Sequence, residues 1–267
     1  RFVPRAESTL RRIGGDPLLQ SWIYTATAHV LNLRGKYAEA LQVEQKALDI
    51  KRAVLGDNHW DVALSLGNVA AELQSLGRAS EALVQNQRAI VSLESALGRE
   101  HPDLALHVYN RGEIRLALGQ SAEARAEFER ALSIWKAELP ADHLYNSYAL
   151  MGIGLARLSE ESSIAEAIAP LERALAIRQA GAATPEMRAE TAFALARALW
   201  EAGAHPERDR ARARQLAEIA RDLFPASRAA DRAKVEAVLA AWQRGDRQVG
   251  VVSARRRPDG GLRGGLP

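Results

Sequence analysis

The stretch Asn68–Pro102, NVAAELQSLGRASEALVQNQRAIVSLESALGREHP, decides the fold. It holds a small residue inside an apolar-periodic segment (Ala70), a break at Leu76-Gly77, then Glu81-Ala82, a second periodic segment with Ala89-Ile90, and a break at Leu97-Gly98 leading to His101-Pro102. These features recur with a single period. Gly35, Gly77 and Gly119 are evenly spaced, and Ala28, Ala70, Gly112, Gly154 and Ala196 form a column of small residues at the same interval. His59, His101 and His143 keep it, as do Glu39, Glu81 and Glu123, each followed by alanine. A fixed period of this length marks a repeat architecture, in which every residue is read by its place in the unit. The glycine column skips Glu161 and returns at Gly203. The Glu-Ala pair slips by one position to Glu166-Ala167, which places a single insertion near Ser159–Ser163. The fifth unit is expected to carry a longer loop, Gly203–Asp209.

Each unit reads as two helices. Val62–Leu76 and Leu104–Leu118 place apolar residues at three- and four-residue spacing, contain no proline and stop at glycine. Ser80–Leu97 and Ala122–Leu139 restart the same period and end where Gly or Pro breaks them. No long period-two alternation indicates a strand. The small column has a geometric cause: where two helices cross closely, a residue larger than Ala or Gly forces the axes apart, and Ala47, Ala89, Ala131 and Ala174 supply a matching column on the second helix. Helix pairs this rich in alanine bury too little apolar surface alone, so neighbouring units must stack. The expected fold is all-α, an α-solenoid built as a right-handed superhelix of antiparallel helix pairs, with about five units and a capping helix at Ser227–Trp242.

Composition agrees with a scaffold. The 267 residues include no cysteine, which removes thiolate metal sites, disulfides and cysteine nucleophiles together. No run approaches the ~18 apolar residues of a membrane span and no signal peptide opens the chain, so a soluble, cytoplasmic protein is expected. Arg1 in place of Met fits a processed or excised piece. The formal charge of +3 belongs to Gly245–Pro267, where Arg247, Arg255, Arg256, Arg257 and Arg263 face only Asp246 and Asp259. That Gly/Arg-rich tail, 244–267, is expected to be disordered, and weak salt-sensitive attraction to nucleic acid is confined to it.

With these residues in view the units resemble tetratricopeptide repeats of the long, kinesin-light-chain type. Unit two carries the pattern almost throughout, as Asn68, Ala70, Leu76-Gly77, Glu81-Ala82, Ala89-Ile90 and Leu97-Gly98 before His101-Pro102. The resemblance covers roughly Asp16–Phe224, within a repeat domain at 16–243 that follows the end of a preceding helix or linker at 1–15. A narrower likeness joins Ile13-Gly14-Gly15-Asp16-Pro17, the Ala194–Trp200 segment and the Arg210–Arg214 helix to the C-terminal repeat region of bacterial serine/threonine protein kinases. No glycine-rich phosphate loop, His-Arg-Asp or Asp-Phe-Gly occurs here, so no catalytic role is expected of this chain.

The resemblance implies that first helices line a concave, ligand-binding face. Asn68 and Asn110 share one register there, two positions before the small column. Mid-helix Asn costs about 0.6 kcal/mol relative to Ala, so a pair in one column points to partners for the amides: an extended peptide backbone, as the family resemblance implies, or the neighbouring helix. Trp22, Leu64, Leu106 and Tyr109 are expected to give side-chain pockets, with His29, Gln74 and Glu113 beside them; Thr25, Asn32 and Ala71 complete the inferred face. The face lacks the arginine cluster of a phosphopeptide or nucleic-acid channel. His59, His101 and His143 lie a whole unit apart and cannot converge on one metal ion; they read as corner residues that start the next helix. Arg208, Arg210, Arg212 and Arg214 fan around a helix and read as a solvated outer face. Gly152-x-Gly154 fails as a dinucleotide fingerprint, with no preceding strand and Arg157 at the third glycine position. The expected function is a non-catalytic scaffold binding a peptide or protein surface, without cofactor or metal. A kinase-associated regulatory region and a purely structural spacer are the alternatives.

Overall fold

The computed structural model describes residues 15–202 and 206–245. The expected linker at 1–14, the loop residues 203–205 with Gly203 and His205, and the tail beyond Gly245 lie outside the described residues. Within the described part, eleven α-helices follow one another with no strand: α1 (Pro17–Leu33), α2 (Tyr37–Leu55), α3 (Trp60–Ser75), α4 (Ala79–Leu97), α5 (Pro102–Ala117), α6 (Ser121–Glu138), α7 (Leu144–Leu158), α8 (Ile168–Ala180), α9 (Pro185–Ala202), α10 (Pro206–Leu223) and α11 (Ala229–Gln243). They form two compact units, the first ending at Gly119 and the second beginning at Gln120.

In the first unit α1 packs on α2 and α3 on α4, and α2 and α4 pack in turn on α3 and α5. The glycine column closes the first helix of each pair. Gly35 and Gly77 have φ of +72° and +76°, a left-handed conformation that side-chain-bearing residues resist. Lys36 N–H donates to Leu31 O and Gly35 N–H to Asn32 O; Arg78 and Gly77 repeat the pattern onto Leu73 and Gln74, at 2.8–2.9 Å. This double closure satisfies carbonyls that a helix end leaves open. The following Glu39 and Glu81 pair with Lys36 and Arg78 at 2.8 and 2.7 Å in the first turn of α2 and α4, where a carboxylate also suits the helix dipole. Leu48, Val62, Leu66, Val69, Leu73 and Ile114 fill the space between helices, around the buried Ala70, Ala82 and Ala89.

The histidine column starts helices, as its corner position predicts. His59 and His101 are the N-cap residues of α3 and α5, and their Nδ1 atoms accept the backbone N–H of Asp61 at 3.1 Å and of Asp103 at 3.2 Å. His143 caps α7 in the second unit in the same way, through Tyr145 N–H. At the start of α1, Asp16 accepts from Leu18 and Leu19 N–H ahead of Pro17.

In the second unit α6 packs on α7, α7 on α8, α8 on α9, α9 on α10 and α10 on α11. Close approach is enforced by missing side chains. A Cβ on Gly154 would lie 2.4 Å from Leu171 Cγ, and one on Gly152 would lie 2.6 Å from the Phe128 ring. The insertion is where the sequence places it. Lacking a glycine at 161, the chain makes a 3-10 helix at Glu161–Ala167, so α8 starts only at Ile168, while the small-residue column resumes one position late at Ala174. The expected long loop Gly203–Asp209 is corrected: α10 begins at Pro206. Proline is compatible with a first helical turn, which needs no N–H from it, and Glu207 and Asp209 in that turn suit the helix dipole.

The last helices of the second unit are closed by tryptophans. Trp200 of α9 stacks on Trp242 of α11 with ring centroids 4.4 Å apart and planes 11° apart. Arg210 and Arg214 lie over the Trp200 ring at 5.3 and 5.4 Å, Arg212 pairs with Glu172 at 2.6 Å, and Arg208 turns to Asp209. The arginine run therefore fans around α10 as expected, but two of its members cover the cap instead of facing solvent alone. Ala194, Leu195, Ala196, Ala198 and Leu199 are core of this unit.

If His101 acts as a helix cap, His101→Ala should lower the urea midpoint by an amount equivalent to about 1 kcal/mol, while His101→Asn, which retains a capping acceptor, should lie within a few tenths of the parent.

Candidate functional site

On the first unit a recess of about 240 Å³ opens where α1, α3 and α5 come together with α2 behind them. Trp22 and Thr25 of α1, Lys51 of α2, Asp61, Leu64, Gly67, Asn68 and Ala71 of α3, and Leu106, His107 and Asn110 of α5 line it. Three- and four-residue steps along each helix bring these positions onto one side. The structure thus brings together Trp22, Leu64, Asn68, Leu106 and Asn110 of the expected site, with Thr25 and Ala71. Trp22 is 52% exposed, a large apolar surface at the mouth.

Beneath the opening is a polar network. Asn68 Nδ2 donates to Glu44 Oε1 at 3.2 Å, and the Thr25 hydroxyl donates to the same oxygen at 3.4 Å. Lys51 Nζ donates to Ser65 Oγ at 2.8 Å and to Thr25 Oγ1 at 3.4 Å. Glu44 is 1% exposed, and burial raises its carboxyl above the usual range against the opposing pull of the Asn68 bond and the Lys51 charge. Burial likewise lowers the Lys51 ammonium, opposed by Glu44 and Asp61. His107 is 4% exposed, and burial lowers its pKa to about 4, so the ring is neutral at ordinary pH. Its Nδ1 has no hydrogen-bond partner among the described residues.

The two asparagines differ. Asn68 spends its N–H on the neighbouring α2. Asn110 has no hydrogen-bond partner among the described residues and is half-buried on the recess wall. Tyr109 departs from the expectation: it is 1% exposed, and its hydroxyl donates to Glu113 Oε1 at 2.8 Å, so the ring is core and gives no side-chain pocket. An α-helix turns about 100° per residue, and one step from Asn110 carries Tyr109 off the open face. Asn32 is buried and bonded to Glu72. His29 is exposed, Gln74 and Glu113 are half-buried, and none of the three lines the recess.

Glu44, Lys51 and His107 escape a reading of the first-helix face because they lie on second helices or one step off it. A signal exists in the sequence. Glu44 and Asn86 stand one full period apart, followed at the same interval by Phe128 and, after the insertion, by Leu171. Polar residues in a second-helix core column single out the early repeats. Asn86 is fully buried with neither amide atom partnered among the described residues.

The tetratricopeptide repeat family model matches residues 19–95 and 103–180, more than half of the chain. The chain belongs to the tetratricopeptide repeat family. Among solved structures, this tetratricopeptide array is similar to the nearly identical tetratricopeptide-like repeats of a putative kinesin light chain from Podosopora anserina, at 21% identity and TM-score 0.62, over 78% of this chain and 96% of that one. It is also similar to BtubC (BKLC) from P. vanneervenii, at 22% identity and TM-score 0.58, over 67% and 74%. The apo form of RapI matches at 16% identity and TM-score 0.65, over 92% and 86%. At these identities the likeness establishes the fold. No curated protein matches significantly. The repeats are a fold typical of interaction scaffolds, and no helix among the described residues is long and apolar enough to cross a membrane.

His107 should make stability acid-sensitive. The unfolded chain takes up a proton near pH 6.5 and the folded one only near pH 4. Between these values the unfolded state holds more protons, so stability is full above pH 6.5 and falls as pH drops toward 4, by on the order of 3 kcal/mol. In denaturant melts across this window, the parent should lose stability relative to His107→Leu as pH falls, since the titrations common to both proteins cancel in the difference.

Proposed function

We propose that this chain is a non-catalytic protein-interaction module that holds an extended peptide or a protein surface along the first-helix face of its early repeats. The observation that carries the reading is Asn110: an amide on a helix, half-buried beside a recess, with no partner among the described residues. An amide offers both donor and acceptor, which matches a peptide unit. Asn68, one repeat earlier, keeps its carbonyl oxygen for the same task while Glu44 holds its N–H side and fixes its rotamer. Trp22, Leu64 and Leu106 supply apolar contact around the two amides.

The setting in a larger cytoplasmic signalling protein, next to a serine/threonine kinase domain, is the finer part of the proposal. It is supported by the likeness of the Ile13-Gly14-Gly15-Asp16-Pro17, Ala194–Trp200 and Arg210–Arg214 segments, and glycine-rich, His-Arg-Asp and Asp-Phe-Gly motifs in the reading frame upstream of Arg1 would bear it out.

Peptides selected from a random displayed library against the full chain should lose about tenfold in affinity on Asn110→Ala, the equivalent of one hydrogen bond of about 1.4 kcal/mol, and more on Asn68→Ala/Asn110→Ala. Unchanged affinity in the double variant, measured by calorimetry on protein with parental circular dichroism, would place binding elsewhere.

A further inference from the structure

No described helix precedes α1, and one side of it is left incompletely covered. Gln20, Ile23 and Thr27 are half-buried and Ala26 is exposed. At the same positions one period on, Val62, Ser65 and Val69 of α3, which has α2 before it, are at most 3% exposed. The preceding second helix is what meets this register elsewhere. Lys51 of α2 donates to Ser65 of α3 at 2.8 Å, and Arg178 of α8 to Thr191 of α9 at 2.6 Å. Glu44 of α2 accepts from Asn68 of α3, and the Phe128 ring of α6 lies against Gly152 of α7. Partners at these junctions match in chemistry: polar meets polar, and a ring meets bare backbone.

The chain ahead of this face carries the pattern of such a second helix. Val3, Ala6, Leu10 and Ile13 recur at three- and four-residue spacing with Arg5, Ser8, Arg11 and Arg12 between them, and Pro4 suits a first turn. The junction is of the same kind too. Gly15 has φ of +73°, beside +83° at Gly56 and +90° at Gly98, the glycines that close α2 and α4 ahead of the next first helix. Asp16 then caps α1. With Gly15 set against Gly56 and Gly98, Val3 falls at the position of Glu44 and Asn86, Ala6 at that of Ala47 and Ala89, and Leu10 at that of Lys51 and Leu93. All six of these later residues are buried. Glu7, at the position of Leu48 and Ile90, is the departure from the pattern. On α1, Ile23 stands at the Ser65 position and Ala26 at the Asn68 position, so hydrocarbon on both sides takes the place of the polar pairs.

We propose that the open side of α1 is the seat of residues 1–14, which dock on it in the manner of a second helix, Leu10 against Ile23 and Val3 against Ala26, with Ala6 allowing the close approach. A tether of one turn gives this segment a local concentration that a separate partner does not reach, which is why the chain's own residues are the occupant. Docking completes the packing of α1 and makes it an interior helix of the array. The inference is independent of the groove reading, because it concerns the side of α1 that receives the preceding chain.

The chain has no cysteine, so a pair of introduced cysteines reports the contact within the full chain. Under mild oxidation Leu10→Cys/Ile23→Cys should close an intramolecular disulfide, which requires Cβ atoms about 4 Å apart. Residue 8 lies about 200° around a helix from residue 10, so Ser8→Cys/Ile23→Cys should close at least about tenfold more slowly. Mass spectrometry of the digested protein follows both, and circular dichroism of the reduced forms establishes that both are folded. Leu10→Asp should lower the urea midpoint, since it places a carboxylate in an apolar contact, and Ser8→Asp should leave it unchanged. Equal closure of the two pairs, or an unchanged midpoint in Leu10→Asp, would overturn the proposal. Disulfides between molecules in place of within them would also overturn it, by giving the face to a second copy of the chain. Fast closure confined to Leu10→Cys/Ile23→Cys, together with a lowered midpoint in Leu10→Asp, would establish it whether or not selected peptides depend on Asn110.

Discussion

The distance between helix axes is the constraint on which the rest of this structure depends, and alanine and glycine set it. Ala47 and Ala89 in the first unit and Ala131 and Ala174 in the second have no exposed surface at all. Gly154 leaves no room even for a methyl group against Leu171. Packing this close gains dispersion contacts but little apolar area per residue, so each helix pair depends on its neighbours. The same economy explains why only 5% of the residues are aromatic and why two of the large rings, Trp200 and Trp242, are stacked where the last described helix closes on α9.

A close-packed periodic frame gives single substitutions a defined chemical meaning. The second-helix column Glu44, Asn86, Phe128, Leu171 changes from polar to apolar along the chain, and the first-helix column Asn68, Asn110, Gly152, Ala194 changes with it. Glu44 bonds Asn68, whereas Phe128 presses its ring on Gly152. Polar side chains therefore lie under the recess in the early repeats, and hydrocarbon fills the same register later. Burying Glu44 and Lys51 raises the one pKa and lowers the other, and their mutual attraction and bonds to Thr25, Ser65 and Asn68 offset part of that desolvation. The polar side chains beneath the recess are thus held by one another across α1, α2 and α3.

Much of this fold is legible in the order of residues. Helix positions, their breaks at glycine and the capping histidines follow from periodicity, because each is enforced locally by backbone geometry and recurs in successive units; the slip near Ser159–Ser163 shows as a one-residue offset of that period, and the final helix as a last apolar-periodic segment. The candidate site was legible in part. Trp22, Leu64, Asn68, Leu106 and Asn110 follow from which face of a first helix is open. Tyr109 does not, since a single step of helical rotation separates the recess from the core. Pro206 misled for a related reason: a proline reads as a loop residue until its helix is seen to begin there.

The sequence by itself determined the repeat, its length and its small-residue columns, since a period survives in the order of residues whatever their partners. Only the tertiary structure decided the partnerships. Asn68 is held by Glu44 while Asn110 has no partner among the described residues, and Lys51 and Arg178 serve Ser65 and Thr191. These pairings, like the cover that Arg210 and Arg214 give to Trp200, join side chains carried on different helices. Spacing can align such residues in a column. Whether two of them come within hydrogen-bonding reach depends on how the helices carrying them are packed.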